Sequence, residues 1–341
     1  MEPKAAAATA TPLAEIAAQM RDCDDFIICG HVSPDGDCLG SQLALRDALA
    51  RLGKRAVCVL AKSDPVPPIF DFLPGADGLV PAGRYRGPAA TFVAVDVSVR
   101  DRLGEGAALM DRCRTVFTID HHQSDGSLGG VGHIDPDAPS ASLLVWQLAG
   151  HLAGEPSADC ALCAYTGLAT DTGGFRFQNS TAAAFEGAAE MVCAGVRPDL
   201  VATEVFQNRT RPSLDLEALV IERMQVFGDG QGVISWVTLD DMRRCGAVKS
   251  DTEPLIDAIR SLTGVRVACI LREQENSIRG SLRAKDDTDV ASLARTLDGG
   301  GHRAAAGFTL RKPIDRAVPF MQERITALLE GETQTRNGIG E

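Results

Sequence analysis

Three side chains of metal-ligand type lie close together near the N-terminus of this 341-residue chain. His31, Asp35 and Asp37 occur in the segment HVSPDGD, directly after the apolar run FIIC. Pro34 and Gly36 favour a turn, so the imidazole and the two carboxylates can converge above the end of a strand. Converging carboxylates repel one another unless a cation lies between them. The spacing therefore indicates a metal site, although a strand end followed by a helix N-cap explains these residues equally well.

Further candidate ligands follow other apolar runs. Asp96 comes directly after TFVAV, and Asp120 and His121 come directly after TVFTI. Asp171 lies in ATDTGGF, where a helical pattern breaks at two glycines. A single acidic residue at a strand end usually caps the next helix. Capping does not easily explain why an Asp or His follows each of four separate strands or helices. Oxygen and imidazole ligands without cysteine favour manganese or magnesium over structural zinc.

The apolar runs themselves predict the strands that must position these residues. β-Branched and apolar residues recur at 26–29, 56–60, 91–97 and 115–119, and a helical pattern ends at Gly53. Strands that alternate with helices predict an α/β fold with a mostly parallel sheet flanked by helices. Ligands bind beyond the carboxyl ends of the strands in such sheets. The candidate ligands fall at those ends.

A second, smaller α/β unit is predicted towards the C-terminus. Strands are expected in GVISWVTL, VRVACILRE and SIRGSLRA, and a helix is expected in DVASLARTL. The glycine run GGGH, residues 299–302, is expected to open another helix whose backbone N–H groups bind an anion. A helix C-cap with a flexible turn is the alternative.

The predicted organisation has four segments. They are a first α/β domain at 1–190, a helical linker at 191–228, a smaller α/β domain at 229–330 and a disordered tail at 331–341.

Composition and charge limit the class of protein. The sequence has 46 Asp and Glu against 34 Lys and Arg, which argues against a broad basic surface for long duplex nucleic acid. The sequence has neither an apolar signal region nor a run of about 18 apolar residues. We therefore expect a cytoplasmic protein that does not span a membrane. The ten cysteines lack the spacing of a disulfide scaffold. We interpret them, including Cys160 and Cys163, as reduced core residues.

Four segments, in this order, resemble the motifs of the DHH phosphoesterase superfamily: HVSPDGD, VDVS, IDHHQSD and ATDTGGF. Asp120, His121 and His122 resemble its name-giving triplet. The segment SLRAKDDTDVASLARTLDGGGHRAAAGF is similar to the DHH-associated substrate-binding domain (DHHA1). The resemblance thus implies a catalytic domain at 1–190, a substrate-binding domain at 229–330 and an active site in the cleft between them. Among members, the two-domain architecture is most similar to enzymes that degrade very short RNA and dephosphorylate a nucleoside bisphosphate.

This resemblance implies a site with two manganese ions, with magnesium as the alternative metal. The implied ligands of one ion are His31, Asp35 and Asp96. The implied ligands of the other are Asp37, Asp96, His121 and Asp171, with Asp96 bridging the two ions.

The resemblance also implies which residues act on the substrate. The implied catalytic residues are Asp120, His121 and His122. In this set Asp120 orients a ligand, and His122 faces the phosphate and assists by hydrogen bonding or proton transfer. The implied substrate-binding residues are His122, Arg283, Gly300, Gly301 and His302.

The implied activity is manganese-dependent hydrolysis of short oligoribonucleotides to mononucleotides, and of 3'-phosphoadenosine 5'-phosphate to AMP. Two metal ions would activate water and stabilise both the attacking and the leaving oxygen. The expected partners are short single-stranded RNA and nucleoside bisphosphates, and the resemblance is compatible with a homodimer. Hydrolysis of linear or cyclic dinucleotide signals is the alternative activity. A non-catalytic nucleotide sensor is the alternative from a different class.

Overall fold

The computed structural model describes residues 11–122 and 128–337. The chain divides into two compact units, Met1–Asn208 and Arg209–Glu341. The division falls inside the predicted linker, 191–228, most of which is helical. Residues 331–337, predicted to belong to a disordered tail, continue the last helix. The domain limits given by the sequence stay predictions, and residues 338–341 of the predicted tail lie outside the described residues.

The first unit contains a six-stranded, all-parallel sheet in the order β3-β2-β1-β4-β5-β6. Its strands are β1 Phe26–Cys29, β2 Ala56–Leu60, β3 Val80–Pro81, β4 Thr91–Val95, β5 Thr115–Asp120 and β6 Val131–Ile134. Its helices are α1 Leu13–Arg21, α2 Gly36–Arg51, α3 Gly106–Met110, α4 Ala141–Ala153, α5 Ala158–Asp171, α6 Ala182–Cys193 and α7 Pro198–Ala202. The strand order reverses at the neighbouring strands β1 and β4, which is where such sheets bind ligands.

Strand β1 is buried on both faces, as its continuous apolar sequence requires. Phe26 and Ile28 belong to the larger core, which includes residues of α1, α2, α4 and α5. Ile27 and Cys29 belong to a smaller core with Phe92 of β4. Because successive side chains of a strand alternate between faces, four apolar residues fill both cores and fix the position of the following loop.

Helices α2 and α5 lie unusually close together because of Gly40. A Cβ atom at Gly40 would lie 2.4 Å from the Cys163 carbonyl oxygen on α5. This approach brings the first turn of α2 near the last turn of α5. Cys160 and Cys163 are buried on α5 as free thiols, as predicted.

The second unit contains a mixed six-stranded sheet in the order β11-β12-β10-β9-β8-β7. Its strands are β7 Gln225–Phe227, β8 Gly232–Val237, β9 Val267–Gln274, β10 Ser277–Ala284, β11 Gly300–His302 and β12 Ala305–Leu310. Its helices are α8 Arg211–Arg223, α9 Leu239–Cys245, α10 Leu255–Arg260, α11 Val290–Arg295 and α12 Ile314–Asn337. Only β8 and β9 pair in parallel. The α/β class predicted for both units is confirmed.

The prediction that GGGH opens a helix is wrong. Gly300–His302 is strand β11, paired antiparallel with β12. Gly301 has φ 141°, and a Cβ atom there would lie 2.4 Å from the Ala305 carbonyl oxygen. Close pairing with β12 therefore explains this glycine, and no helix N-terminus is present at this segment to bind an anion.

The helices of the described residues are too short or too polar to cross a bilayer.

Candidate metal centre and active site

His31 and Asp96 meet above the ends of the neighbouring strands β1 and β4. His31 Nε2 lies 3.1 Å from Asp96 Oδ2 and 3.8 Å from Asp35 Oδ2. The other oxygen of Asp35 caps α2 by accepting the backbone N–H of Cys38 at 3.1 Å. The capping explanation and the ligand explanation for Asp35 are thus compatible, because they use different oxygens.

A second group of side chains surrounds His121, which follows β5. His121 Nε2 lies 3.6 Å from Asp37 Oδ2 and 3.6 Å from Asp96 Oδ1. It also lies 3.8 Å from Asp171 Oδ2, at the end of α5. Asp96 thus directs one carboxylate oxygen towards His31 and the other towards His121. The structure brings together all six side chains predicted as metal ligands.

The backbone at Asp96 adopts an unusual conformation. Its φ is 57°, in the left-handed region that is unfavourable for a residue with a Cβ atom. The Asp96 N–H donates to the Ile119 carbonyl oxygen at 2.9 Å, which ties this turn to β5. Backbone strain of this kind clusters at functional sites and persists where surrounding contacts hold it.

The sequence did not reveal two groups that bind Asp37 and Asp171, the N-terminus of α4 and the side chain of Asn179. The N-terminus of α4 binds Asp37: the Ala141 and Ser142 N–H groups donate to its carboxylate at 2.8 and 2.9 Å. These bonds and the helix dipole favour the charged carboxylate. Asn179 Nδ2 donates to Asp171 Oδ2 at 3.1 Å. Neither contact has a local sequence signal: α4 lies about a hundred residues from Asp37, and Asn179 returns to Asp171 across the irregular loop after α5.

Asp120 organises the turn after β5. Its Oδ1 accepts the backbone N–H groups of His121 and His122 at 2.8 and 3.2 Å, and lies 2.8 Å from His122 Nδ1. A carboxylate only accepts hydrogen bonds, so His122 carries a proton on Nδ1 and directs Nε2 away from Asp120. Asp120 thus orients the His122 ring, whereas the ring of the predicted ligand His121 lies 3.2 Å from the Ala138 carbonyl oxygen through Nδ1. The catalytic role of Asp120 stays a prediction.

Arg102 is a further site residue that sequence reasoning missed. Its Nη1 lies 3.4 Å from His122 Nε2. Its carbonyl oxygen accepts the Val32 N–H at 2.9 Å, which ties its loop to the segment containing His31. Arg102 lies in a short 3-10 turn, Arg100–Leu103, whose sequence gives no periodic signal. The sequence signal that could have found Arg102 is a positively charged residue in the loop after β4.

Comparison with known proteins identifies the family. Residues 25–168 match the DHH family, N-terminal domain, and residues 240–331 match the DHHA1 domain. The bifunctional oligoribonuclease and PAP phosphatase NrnA of Thermus thermophilus is 31% identical over 304 residues, covering 88% of this chain and 90% of that protein. This chain belongs to the DHH family. It is a phosphoester-hydrolysing enzyme, as predicted.

Two further relatives of this DHH-family enzyme cover nearly the whole chain. The Bacillus subtilis protein of the same name as the Thermus relative is 25% identical over 297 residues, covering 84% of this chain and 90% of that protein. The crystal structure of an exopolyphosphatase-related protein from Bacteroides fragilis has a TM-score of 0.86 at 25% identity. It covers 93% of this chain and 97% of that chain.

The charges in the cluster shift one another's protonation. Burial and the charge of Asp96 raise the pKa of Asp37 to about 6. Burial also raises the pKa of Asp171 well above its ordinary value. Against the effect of burial, the neighbouring imidazoles of His121 and His31 hold the pKa of Asp96 well below its ordinary value. Without a cation, the folded cluster therefore retains protons that a metal ion must displace.

The donor set fits divalent cations. Within the cluster, three buried atoms have no hydrogen-bond partner among the described residues: His31 Nδ1, Asp96 Oδ1 and Asp120 Oδ2. Buried carboxylate oxygens are costly unless a hydrogen bond or a cation compensates them. Cys38 lies beside His31 and Asp96, but burial raises the pKa of its thiol well above the ordinary value. The remaining oxygen and imidazole donors suit manganese or magnesium.

The substrate-binding residues predicted in the second unit lie on β10 and β11, the two strands that pair with β12. Arg283 on β10 pairs with Ala305 on β12, and Ala305 pairs with His302 on β11. Residues that pair directly share a face of the sheet, so Arg283 and His302 lie on the same face. Gly300 shares this face and Gly301 does not, because successive residues alternate. Their contact with a substrate stays a prediction.

Proposed function

We propose that this DHH-family enzyme hydrolyses short oligoribonucleotides to mononucleotides and 3'-phosphoadenosine 5'-phosphate to AMP. The observation that carries the proposal is the position of Asp96, whose two oxygens face His31 and His121 at 3.1 and 3.6 Å. A carboxylate shared between two ligand groups is the arrangement that a two-metal phosphoesterase requires. The substrate classes are those in the name of the Thermus thermophilus relative.

We propose two cation positions in the cluster, filled by manganese, with magnesium as the alternative. His31, Asp35 and Asp96 would hold one ion. Asp37, Asp96, His121 and Asp171 would hold the other. When bound, the ions supply the Lewis acidity that activates water and neutralises charge on the phosphoryl oxygens.

The chain supplies orientation and proton transfer. Asp120 holds the His122 ring through Nδ1, which leaves Nε2 on the side of Arg102. The neutral ring, with its proton on Nδ1, accepts hydrogen bonds at Nε2; a second proton on Nε2 would let His122 donate a hydrogen bond or a proton to an oxygen of the phosphoryl group. The Arg102 guanidinium adds a permanent positive charge beside it, which favours the additional negative charge of the transition state.

The test is hydrolysis of diadenylate and of 3'-phosphoadenosine 5'-phosphate side by side, with Mn²⁺ and with a chelator. Release of AMP from both substrates only with Mn²⁺ is expected. A protein that binds Mn²⁺ but hydrolyses neither would refute the proposed substrates. Linear and cyclic dinucleotide signals, assayed in parallel, test the alternative activity, and absence of any turnover would favour the nucleotide sensor.

A further inference from the structure

One face of helix α8 in the second unit is exposed and apolar. Leu216 and Val220 on the inner face of this helix are buried in the core that α8 shares with β8 and β9. On the outer face, Leu214 and Ile221 are 47% and 45% exposed, and the exposed Ala218 lies between them. Because spacings of three and four residues return to the same side of a helix, these outer residues form one stripe.

Two exposed valines continue this stripe beyond the ends of α8. Val226 on β7 follows the last turn of the helix and is 49% exposed. It pairs with Val233 of β8, which is buried beneath α8, so Val226 lies on the α8 side of the sheet. Val248 is 61% exposed. It lies near the first turn of α8, because its N–H donates to Asp251, which also accepts the hydroxyl of the N-cap residue Thr210.

These residues include every large apolar side chain that is exposed in the described part of the second unit. Single exposed apolar residues are normal on a protein surface, whereas a continuous apolar patch marks an interaction site. We call the following row of residues, in its order along the helix axis, the α8 surface: Val248, Leu214, Ala218, Ile221 and Val226.

Charges of opposite sign lie beside the two ends of the α8 surface. Arg211 in the first turn of α8 is 83% exposed, and Glu222 in the last turn is also exposed. Eleven residues separate them, which is about three turns, so both lie on the same edge of the stripe. The separation along the axis is about 16 Å, so the two side chains do not contact each other within one chain. Arg211 pairs through Nε with Asp215, one turn further along, at 2.8 Å.

The apolar residues of the α8 surface complement a second copy of the same surface in the antiparallel orientation. A twofold axis beside Ala218 places Leu214 of one copy against Ile221 of the other. The same contact forms a second time by symmetry. The axis also brings the Val248 end of one copy to the Val226 end of the other, so the apolar row is covered along its whole length.

The charges complement each other in the same orientation. The twofold axis places Arg211 of one copy against Glu222 of the other, again twice. A parallel pair of helices would instead place like charges against each other, which is unfavourable. The charge arrangement therefore favours a second copy of this chain as the molecule that covers α8, and it favours the antiparallel orientation.

The extent of the surface is suited to a dimer of modest affinity. The 13 residues of α8 span about 20 Å, which is short for a standard interface of about 800 Å² per partner. Val226 and Val248 extend the apolar surface to the edge strand β7 and to the segment after α9. Since interfaces of standard size reach micromolar or tighter dissociation constants, we expect a dimer that forms at micromolar protein concentration.

We propose that the α8 surface binds a second copy of this chain through an antiparallel pair of α8 helices. The family resemblance is compatible with a homodimer but does not locate an interface, and the α8 surface provides one. The inference is independent of the proposed substrates, because the α8 surface contains no residue of the candidate metal centre.

The test is sedimentation equilibrium of the full-length protein over a series of concentrations. Ile221→Glu places a carboxylate against an apolar side chain twice per dimer, so it should raise the Kd of the dimer roughly 100-fold or more. Val192→Glu is the matched control, because Val192 is 41% exposed on α6 in the first unit. That variant should dimerise like the wild type. Both substitutions are at exposed positions, and circular dichroism of the diluted variants checks that each is folded.

Charge reversal tests the orientation of the two helices. Arg211→Glu and Glu222→Arg should each raise the Kd of the dimer roughly tenfold at low salt, because like charges then face each other at both ends. The double variant should recover most of the wild-type affinity. Loss of the pair with Asp215 is common to Arg211→Glu and the double variant, so the recovery reports a contact between copies. Arg316→Glu, at an exposed arginine on α12, controls for the change in net charge.

A wild-type protein that stays monomeric at every concentration measured would overturn the proposal. A dimer that Ile221→Glu leaves intact and Val192→Glu dissociates would place the interface on α6 and would also overturn it. If the two charge reversals weaken the dimer singly and do not compensate each other in the double variant, the antiparallel orientation is refuted.

Discussion

Asp96 lies among three imidazoles, with Oδ2 directed towards His31 and Oδ1 directed towards His121 and His122. Its low pKa keeps this carboxylate charged where burial raises the pKa values of Asp37 and Asp171. It therefore provides a permanent negative charge between the two proposed cation positions. The other cluster residues contribute to one proposed position each, so Asp96 is the residue on which a two-ion arrangement depends.

Replacement of Asp120 by Asn should lower turnover by about 10- to 100-fold, the usual cost of losing a residue that orients a site. Asn cannot provide a charged acceptor for the two backbone N–H groups and the His122 ring that Asp120 Oδ1 contacts. The measurement is kcat with saturating Mn²⁺ for each proposed substrate. Asp137→Asn, at an exposed carboxyl after β6, is the matched control. Wild-type kcat in Asp120→Asn would contradict the role of Asp120.

Replacement of Arg102 by Gln should reduce kcat/KM by roughly 100-fold, the magnitude found when a charge-stabilising donor is removed. The guanidinium lies 3.4 Å from His122 Nε2, on the side where the proposed substrate phosphate binds. Arg100→Gln provides the control, because Arg100 is two residues away and pairs with the exposed Asp111. Equal kcat/KM values for the two variants would show that Arg102 has no special role.

The sequence could predict that these side chains lie together, because the candidate ligands follow strands whose apolar runs are unambiguous. Asp96 and Asp120 come directly after such runs, and His31 follows the first run after Gly30. Arg102 and Asn179 were missed because both lie in irregular segments, where the folded loop decides which side chain each one contacts. No periodicity marks such a residue, so only the folded structure reveals it.

At the scale of elements, the close contact between α2 and α5 sets the distance between Asp37 and Asp171. These carboxylates lie on the first turn of α2 and at the end of α5. Gly40 permits the contact, because any side chain there would meet the backbone of α5 at Cys163. The geometry of the proposed second cation position therefore depends on a residue that does not itself contact the cluster.

Gly40→Ala should destabilise the protein by about 1–3 kcal/mol through overpacking and should weaken Mn²⁺ binding. Urea unfolding in a chelator and calorimetric Mn²⁺ titration measure the two effects. Gly150→Ala is the matched control on α4, where a Cβ atom would meet nothing within 4 Å. That substitution should stabilise the protein by about 0.5–1 kcal/mol, because alanine favours a helix. Equal stability of the two variants would contradict the packing argument.

The sequence predicted the long strands and helices better than the short ones. The runs 26–29 and 56–60 correspond fully to β1 and β2. Strand β3 was missed because it has two residues, and β6 because it is half-buried throughout. GGGH was predicted to open a helix because its glycines resemble a phosphate-binding turn, whereas pairing with β12 makes it a strand. In these cases tertiary pairing decides the structure, and local sequence does not.

At the scale of the whole molecule, protons and cations compete for the cluster. Asp37 has a folded pKa of about 6 against an ordinary value of 3.8, so the folded state binds more protons between these values. Stability of the metal-free protein therefore falls as the pH rises through this window. Against the effect of burial, Asp96 raises the pKa values of His31 and His121 above 6.5. Their stabilising effect is present below 6.5 and is lost as the pH rises through the folded pKa.

We therefore expect the increase in Tm caused by Mn²⁺ to grow from about pH 5.5 to about pH 8, because fewer protons remain to be displaced. The titration of Asp96 changes stability in the opposite direction, but Asp96 is protonated only below its ordinary pKa of 3.8, outside this pH range. Thermal unfolding with Mn²⁺ and with a chelator measures the difference. In Asp37→Asn, the increase in Tm caused by Mn²⁺ should depend less on pH. A Tm difference that stays constant or declines with pH would contradict this account.

We propose that phosphoester hydrolysis by this enzyme needs two cations, bridged by Asp96. Turnover of diadenylate by metal-free protein as Mn²⁺ is added, with the bound Mn²⁺ per chain determined in the same samples, tests this requirement. Turnover should rise until two ions are bound per chain, and Asp96→Asn should not reach this state. Full turnover with one bound ion per chain, or in the presence of a chelator, would refute the requirement for two cations.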